Sequence, residues 1–314
     1  MKESESLHFT GTIWRPPFEA RSVLLQVTVG CTHHACKFCS LYGDLRFRIS
    51  PAEEVEADLR IVARYQPRAR RVFLVGANPF VLSAGRLIRL ADRIRDFLPK
   101  VRTIGMFARV SDILQKSAAE LRELRARGIT GISIGTESGD DASLAFMNKG
   151  TTAAEALEAC RRLDEAGIEY YLTYMTGLAG AGNGTRAAHA TAALFNRLHP
   201  YIVGIVSLTL FPDTPLMREI EAGRFVPMSE RERLEELRTF LKELTVPVTI
   251  SANTVSNAVP LFGRLPEDRV RMIGRIDEAL ASLTEADLAY CRVQMRYLSG
   301  IRTGRRKSGL RIPT

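Results

Sequence analysis

The sequence predicts an α/β fold, a partial (β/α)6 TIM-like barrel covered by a C-terminal helical cap. From residue 22 onward the hydrophobic period switches repeatedly between short β-branched runs and longer amphipathic segments, the pattern of βα units. The connections between them are short, as parallel units require. The first strand pattern is followed by a cysteine cluster instead of the glycine-rich turn of a doubly wound nucleotide-binding fold. In a parallel barrel the chemistry gathers on loops at the C-terminal ends of the strands, where these cysteines fall.

Taken in order, the strand candidates are residues 22–29, 71–76, 101–107, 131–135, 169–176 and 202–210. Helices follow, several opened by capping boxes in which a hydroxyl and a carboxylate satisfy orphan amides reciprocally: Ser50-Pro-Ala-Glu53, Ser117-Ala-Ala-Glu120 and Thr152-Ala-Ala-Glu155. Gly128 and Gly167 close helical segments just before the next strand, which predicts left-handed C-caps. After residue 210 the pattern changes to a helix over 229–244, a short strand over 248–250, a polar stretch over 251–257, and helices over 266–282 and 285–297. The expected organisation is an N-terminal extension (1–21), the barrel core (22–216) and a mainly helical extension (217–314). That extension covers the barrel and ends in the basic tail Arg302-Thr-Gly-Arg-Arg-Lys-Ser-Gly-Leu-Arg311.

With 314 residues and an apolar fraction of 46%, the chain can fill a sizeable core. No stretch approaches a bilayer-spanning run, and the polar start Met1-Lys-Glu-Ser-Glu-Ser6 is no signal peptide, so a cytoplasmic protein is expected. The five cysteines, three of them clustered, do not form a secreted disulfide framework. The net charge of +9 comes mostly from arginine, and a solvated surface accounts for it better than a dedicated polyanion site.

Cys31, Cys36 and Cys39 lie within nine residues in the run Gly30-Cys-Thr-His-His-Ala-Cys-Lys-Phe-Cys-Ser40. An odd set of clustered thiols cannot pair off, and three soft ligands on one tight loop suit an iron–sulfur cluster or zinc. On spacing alone a Cys3His zinc site using His33 or His34 stays open. Those two histidines otherwise read as loop residues.

The spacing Cys-x4-Cys-x2-Cys, with Phe38 before the last cysteine, resembles the cluster loop of the radical S-adenosylmethionine (SAM) enzymes, whose usual form has one residue fewer in the first gap. Further motifs resemble a little-characterised branch of that superfamily, related to the coproporphyrinogen-dehydrogenase and Elongator-type radical enzymes. These are Arg15-Pro-Pro-Phe-Glu-Ala20, Leu25-Gln-Val-Thr28, Arg46-Phe-Arg48, Gly135-Thr-Glu-Ser-Gly139, Asn148-Lys-Gly150, Leu210-Phe-Pro-Asp-Thr-Pro-Leu216 and Ser256-Asn-Ala-Val-Pro-Leu261. The resemblance runs from about Trp14 to about Leu280. It implies a [4Fe-4S] cluster on Cys31, Cys36 and Cys39, SAM bound at its open iron, and an electron donor such as flavodoxin or ferredoxin.

The resemblance also implies SAM contacts at the ends of successive strands. Phe38 would lie against adenine, with packing under the loop as its rival role. Gly76 and Asn78 would meet the amine, Asn78 standing where the family has an acid. Arg109 and Ser111 would meet ribose or carboxylate, Glu137 the ribose hydroxyls, Lys149 the methionine carboxylate, and Gly177 the adenine. Alternation sends Tyr170 and Tyr174 to one face of their strand and Tyr171 to the other. Tyr174, near the C-terminal end, is the expected substrate contact.

The extra domains of methylthiolating or cobalamin-dependent relatives are not expected, and after residue 39 only Cys160 and Cys291 remain, so no auxiliary cluster is expected. A lean barrel with a cap suits a small-molecule substrate. The basic balance points to an anionic, sugar- or nucleotide-like metabolite, with natural-product biosynthesis as the expected setting. Nucleic acid is the less favoured partner and membrane is not expected. An RNA-modifying radical enzyme and a zinc-stabilised binding or regulatory protein are the alternatives.

Overall fold

The structure, a computed structural model, describes residues 6–43 and 45–298, with side chains to residue 293. The basic tail lies outside the described residues. In chain order the elements are β1 (Val23–Gln26), β2 (Thr28–Val29), β3 (Arg48–Ile49), α1 (Ala52–Tyr65), β4 (Arg71–Val75), α2 (Ala84–Phe97), β5 (Thr103–Ala108), α3 (Val110–Leu114) and α4 (Ala118–Ala126). Then come β6 (Ile129–Glu137), α5 (Asp141–Phe146), α6 (Ala153–Glu165), β7 (Tyr170–Thr176), α7 (Gly184–Phe195), β8 (Ile202–Ser207) and α8 (Pro215–Glu221). The chain continues through α9 (Glu230–Glu243), β9 (Val248–Ala252), β10 (Leu261–Leu265), α10 (Arg269–Ser282) and α11 (Glu285–Leu298).

The eight-stranded sheet has the order β1-β4-β5-β6-β7-β8-β9-β10. Every neighbouring pair is parallel except β9–β10. The six predicted core strands are all present, and β1 and β10 end the sheet unpaired with each other, so the barrel is open. The C-terminal region was expected to hold one short strand among helices. That strand is β9, which joins the sheet as a seventh parallel strand, and β10 adds an antiparallel edge strand that was not expected. β10 escapes notice because it is only five residues long with a central glycine, although its burial alternates strictly.

Local signals hold at most helix ends. Ser117 and Thr152 form complete capping boxes with Glu120 and Glu155. The box expected at Ser50 does not form, because Pro51 takes the N-cap position of α1 and leaves the serine one residue too early. Gly128 and Gly167 adopt φ of 67° and 69°, the left-handed C-caps expected of them.

One face of the sheet, with Leu25, Leu74, Met106, Ile134, Leu172, Ile205 and Ile250, joins the helices in a single apolar core. The alternate residues face the barrel interior, and at the N-terminal end of the strands they are plugged. A short turn, Pro17–Glu19, places Phe18 against the rings of Tyr171 and Tyr201 at 5.1 and 5.9 Å. Glu19, 1% exposed, accepts from Arg71 Nε at 2.9 Å and Nη2 at 2.5 Å. Arg71 also donates to Thr103 Oγ1 at 3.1 Å. The guanidinium fits because Gly105 and Gly131 lack side chains: a Cβ at either would lie 2.4 Å from Nη2. One three-residue turn thus touches β4 and β7, which in a flat sheet would stand about 14 Å apart, so the sheet curls around it.

Candidate metal and cofactor site

The C-terminal ends of the strands form the opposite, functional end. Gly30 turns the chain out of β2 at φ 71°, where a Cβ would meet the Leu45 carbonyl at 2.6 Å. The cysteine loop that follows is held from three sides. Lys37 N donates to Met147 O at 2.9 Å and Leu216 N donates to Lys37 O at 2.9 Å. Asn148 Nδ2 donates to Ala35 O at 3.0 Å, and the His33 ring pairs with Asn148 O at 2.7 Å. Asn148 makes both contacts from a left-handed conformation, φ 51°. His33 also lies against Gly150, where a Cβ would stand 2.6 Å from the ring. On the third side, Thr32 N and Oγ1 bond the Asn78 side chain.

Cys31, Cys36 and Cys39 are half-buried and free of disulfides. Burial pushes the Cys36 thiol up to about 11 and raises that of Cys39, with the nearby Lys149 ammonium acting in the opposite sense. The thiols are close enough to influence one another. Among the described residues, however, no three metal-binding side chains converge as ligands of a single ion. Three thiols on one loop are the donor set of an iron–sulfur cluster, in which each binds a different iron. Cys31 opens onto a cleft lined by His34, Gly43, Leu45, Arg46 and Phe47.

Across the mouth, Glu137 ends β6 at φ 65° and lies 9% exposed. Its Oε1 accepts from Lys149 Nζ at 3.0 Å and its Oε2 from Thr173 Oγ1 at 2.9 Å. Burial opposes the charge on Lys149, but the Glu137 carboxylate and the neighbouring cysteines outweigh it and hold its pKa above the usual value. Arg109 reaches the same turn, donating from Nη2 to Lys149 O at 3.4 Å. A side chain at Gly135 would clash with Glu137 Oε1 at 2.8 Å.

Other expected residues stand elsewhere. Asn78 is fully buried and its amide is consumed: Nδ2 donates to Thr32 Oγ1 at 2.8 Å and to Asp112 Oδ2 at 2.9 Å. It ties the cysteine loop to α3, and its side chain has no reach to spare for a ligand. Gly76, φ 117°, leaves room for Thr28, whose backbone oxygen would stand 2.3 Å from a Cβ. Phe38 packs with Met147, Leu178, Leu208, Leu216 and Phe225 under the loop, the rival role considered for it. Ser111 opens onto a cleft it shares with Gln115, Gly150 and Thr151, outside the interior.

Tyr174 corrects the expectation most sharply. It is fully buried on the helix side of β7, 4.6 Å from the Phe240 ring, and donates to Glu236 Oε1 at 2.6 Å. The tyrosine that faces the interior is Tyr171, whose hydroxyl lies so close to β8 that a Cβ at Gly204 would stand 1.6 Å from it. Thr173 shares that face. Sequence alternation separated these two sets but could not say which faced inward. Gly177, φ 84°, ends β7, and its N–H donates to Glu236 Oε2 at 2.7 Å.

A sequence profile of the Radical SAM superfamily matches residues 25–190. The chain belongs to the radical SAM superfamily. Its cofactors are accordingly a [4Fe-4S] cluster and SAM, and it is an enzyme. The anaerobic magnesium-protoporphyrin IX monomethyl ester cyclase of Cereibacter sphaeroides is 27% identical over 209 residues, 65% of this chain and 33% of that protein. The heme chaperone HemW of Bacillus subtilis is 25% identical over 207 residues, 63% of this chain and 54% of that protein. The radical SAM coproporphyrinogen III oxidase of Escherichia coli shares the fold, with a TM-score of 0.51 at 16% identity over 71% of this chain and 52% of that one. The two curated relatives match the branch expected from the motifs. The chain spans only a third to about half of the length of these curated relatives. Among the described residues no helix is long and apolar enough to cross a membrane.

Proposed function

We propose that the protein reductively cleaves SAM and uses the resulting 5′-deoxyadenosyl radical to remove hydrogen from a small molecule held in the barrel mouth. The observation that carries this is one arrangement: the three-thiol loop and the buried Glu137–Lys149 pair face the same mouth, pinned together by Asn148. When bound, the cluster supplies the electron that breaks the sulfonium bond. The chain's own residues do the rest. Cys31, Cys36 and Cys39 hold three irons. Lys149, with ammonium hydrogens to spare, meets the methionine carboxylate, and Glu137 accepts from the ribose hydroxyls. The Gly177 turn borders the adenine. The floor of Phe18, Arg71 and Tyr171 keeps water from entering behind the substrate.

The expectation of an anionic metabolite rested on net charge, and the interior narrows it. Two cations that line it, Arg71 and Lys149, are each paired with a buried carboxylate. The pairing at Arg71 favours an uncharged group at the base of the barrel, while a phosphate or carboxylate would be met at the mouth, by Lys149 and Arg109. Several of the arginines that raise the net charge also sit away from the mouth: Arg21, Arg68, Arg70 and Arg102 are exposed just before β1, β4 and β5. That placement does not support guiding an RNA into the site. The partner the chemistry requires is a one-electron donor such as flavodoxin or ferredoxin.

Anaerobic purification and reconstitution test this reading. Brown protein with about four irons per chain, and reduction-dependent formation of 5′-deoxyadenosine, are expected. A colourless protein that holds only zinc and leaves SAM intact would refute it.

A further inference from the structure

The turn from Gly177 to Gly182 is gripped from outside the family core. Helix α9, which begins forty residues beyond the end of the family match, presents three side chains to it. Glu232 Oε1 accepts from Gly182 N at 2.8 Å. Arg233 lies over Gly177, where a Cβ would stand 2.9 Å from its Nε. Glu236, 1% exposed, uses both carboxylate oxygens, one on Gly177 N and one on the Tyr174 hydroxyl.

A buried carboxylate is costly unless its hydrogen bonds are strong, so its presence here needs a reason. Gly177 supplies one. Its left-handed conformation points its N–H away from the mouth and into the helical layer, where without an acceptor it would be a buried orphan. Glu236 fills that need and is itself fixed by Tyr174, which Phe240 packs in place. The residue expected to touch substrate thus serves as a brace on the other side of the strand.

We propose that Glu236 is a positioning residue for SAM: through its bond to Gly177 N it fixes the turn that borders the adenine. This rests on the functional reading above. The charged and titratable groups facing Glu236 are Tyr174 from β7, Arg233 from α9 and Asp140 from the start of α5, the last paired with Arg186. Burial first, and Asp140 second, push the Glu236 carboxyl up to about 7, while the bonds from Tyr174 and Gly177 and the charge of Arg233 pull it down.

The test compares Glu236→Ala and Glu236→Gln in the reconstituted holoenzyme. Two quantities are measured: hydrogen–deuterium exchange of residues 175–183 without SAM, and SAM affinity by calorimetry. Gln can accept from Gly177 and donate to the Tyr174 oxygen, so it should stay within about twofold of wild type in both. Ala should speed exchange at Gly177 and weaken SAM binding by about tenfold, because it leaves the Gly177 N–H without its acceptor. Unchanged SAM affinity in the Ala variant overturns the proposal, and so does a Gln variant as impaired as Ala. If Glu236→Ala does not fold, the wild-type protein and Glu236→Gln decide. Slow Gly177 exchange in both upholds the assignment, and exchange at the rate of an open turn overturns it. Wild-type protein that binds no SAM overturns the functional reading along with this one. Wild-type binding beside an indifferent Glu236 overturns this one alone.

Discussion

Two buried carboxylate–cation pairs sit at opposite ends of the barrel, Glu19–Arg71 at the base and Glu137–Lys149 at the mouth. At the base the planar guanidinium spreads its donors over both oxygens of Glu19 and over Thr103, and glycines in β5 and β6 clear space for it. Aromatic rings close around the pair. At the mouth a single bond joins Lys149 to Glu137, an ammonium keeps two further donors, and the carboxylate sits on a left-handed residue. The neighbours there are thiols and a threonine hydroxyl. The base pair is held by several bonds to both oxygens of its carboxylate and acts as a seal, whereas one bond joins the mouth pair and leaves an ammonium with donors to spare, which is what a ligand site needs. Burial and charge alone would have ranked the two alike.

Several experiments can break that contrast. The largest effect belongs to the mouth: changing Cys31, Cys36 or Cys39 to Ala should remove the cluster iron and abolish 5′-deoxyadenosine formation. Cys160→Ala and Cys291→Ala should retain the iron by colorimetric assay. Iron retained in a triad variant would reassign the ligands.

At the base, Glu19→Gln should destabilise the fold by about 1.5–3 kcal/mol, because it removes the charge from the bidentate partner of a largely enclosed guanidinium. Denaturant melts would show it, and pairing the change with Arg71→Met should recover most of the loss. If Glu19→Gln is as stable as wild type, the seal is not one.

Lys149→Ala should reverse the balance, weakening SAM binding by at least about tenfold while costing less stability than the base variant. Equal SAM affinity would remove Lys149 from the site.

The smallest effect is a pH dependence at Glu236. Its folded pKa of about 7 stands above its ordinary value of 4.5, because burial disfavours the charged form. Between those values the native state holds more protons than the unfolded chain, so the contribution of Glu236 to stability is full below about 4.5 and is lost as pH rises through about 7. Wild-type stability should therefore fall relative to Glu236→Gln over that window. A constant difference between the two would show that the carboxyl is not held protonated by its surroundings.

What was legible in the chain depended on how local each signal was. Periodicity and capping act within one turn or strand, so the six core strands, the boxes at Ser117 and Thr152 and the caps at Gly128 and Gly167 could be read directly. The cysteine loop could be read for the same reason. Ser50 misled because one proline shifted the helix start. Tyr174 misled because a strand's two faces look alike until its neighbours are known. The roles of Asn78 and Glu236 are set by partners 46 and 59 residues away, and nothing near either residue announces them. The Pro-Pro-Phe-Glu run drew notice only as a family mark. Its function as a plug exists only once the sheet has curled.

The cysteine loop takes its shape from contacts 113 and 115 residues further along the chain, at Asn148. During synthesis the three thiols therefore leave the ribosome with nothing behind them. Iron that met them then would find a loose peptide. The loop acquires the shape seen here only when β6 and the turn after α5 have joined the sheet. The shape of the loop thus depends on one asparagine turn more than a hundred residues further along the chain.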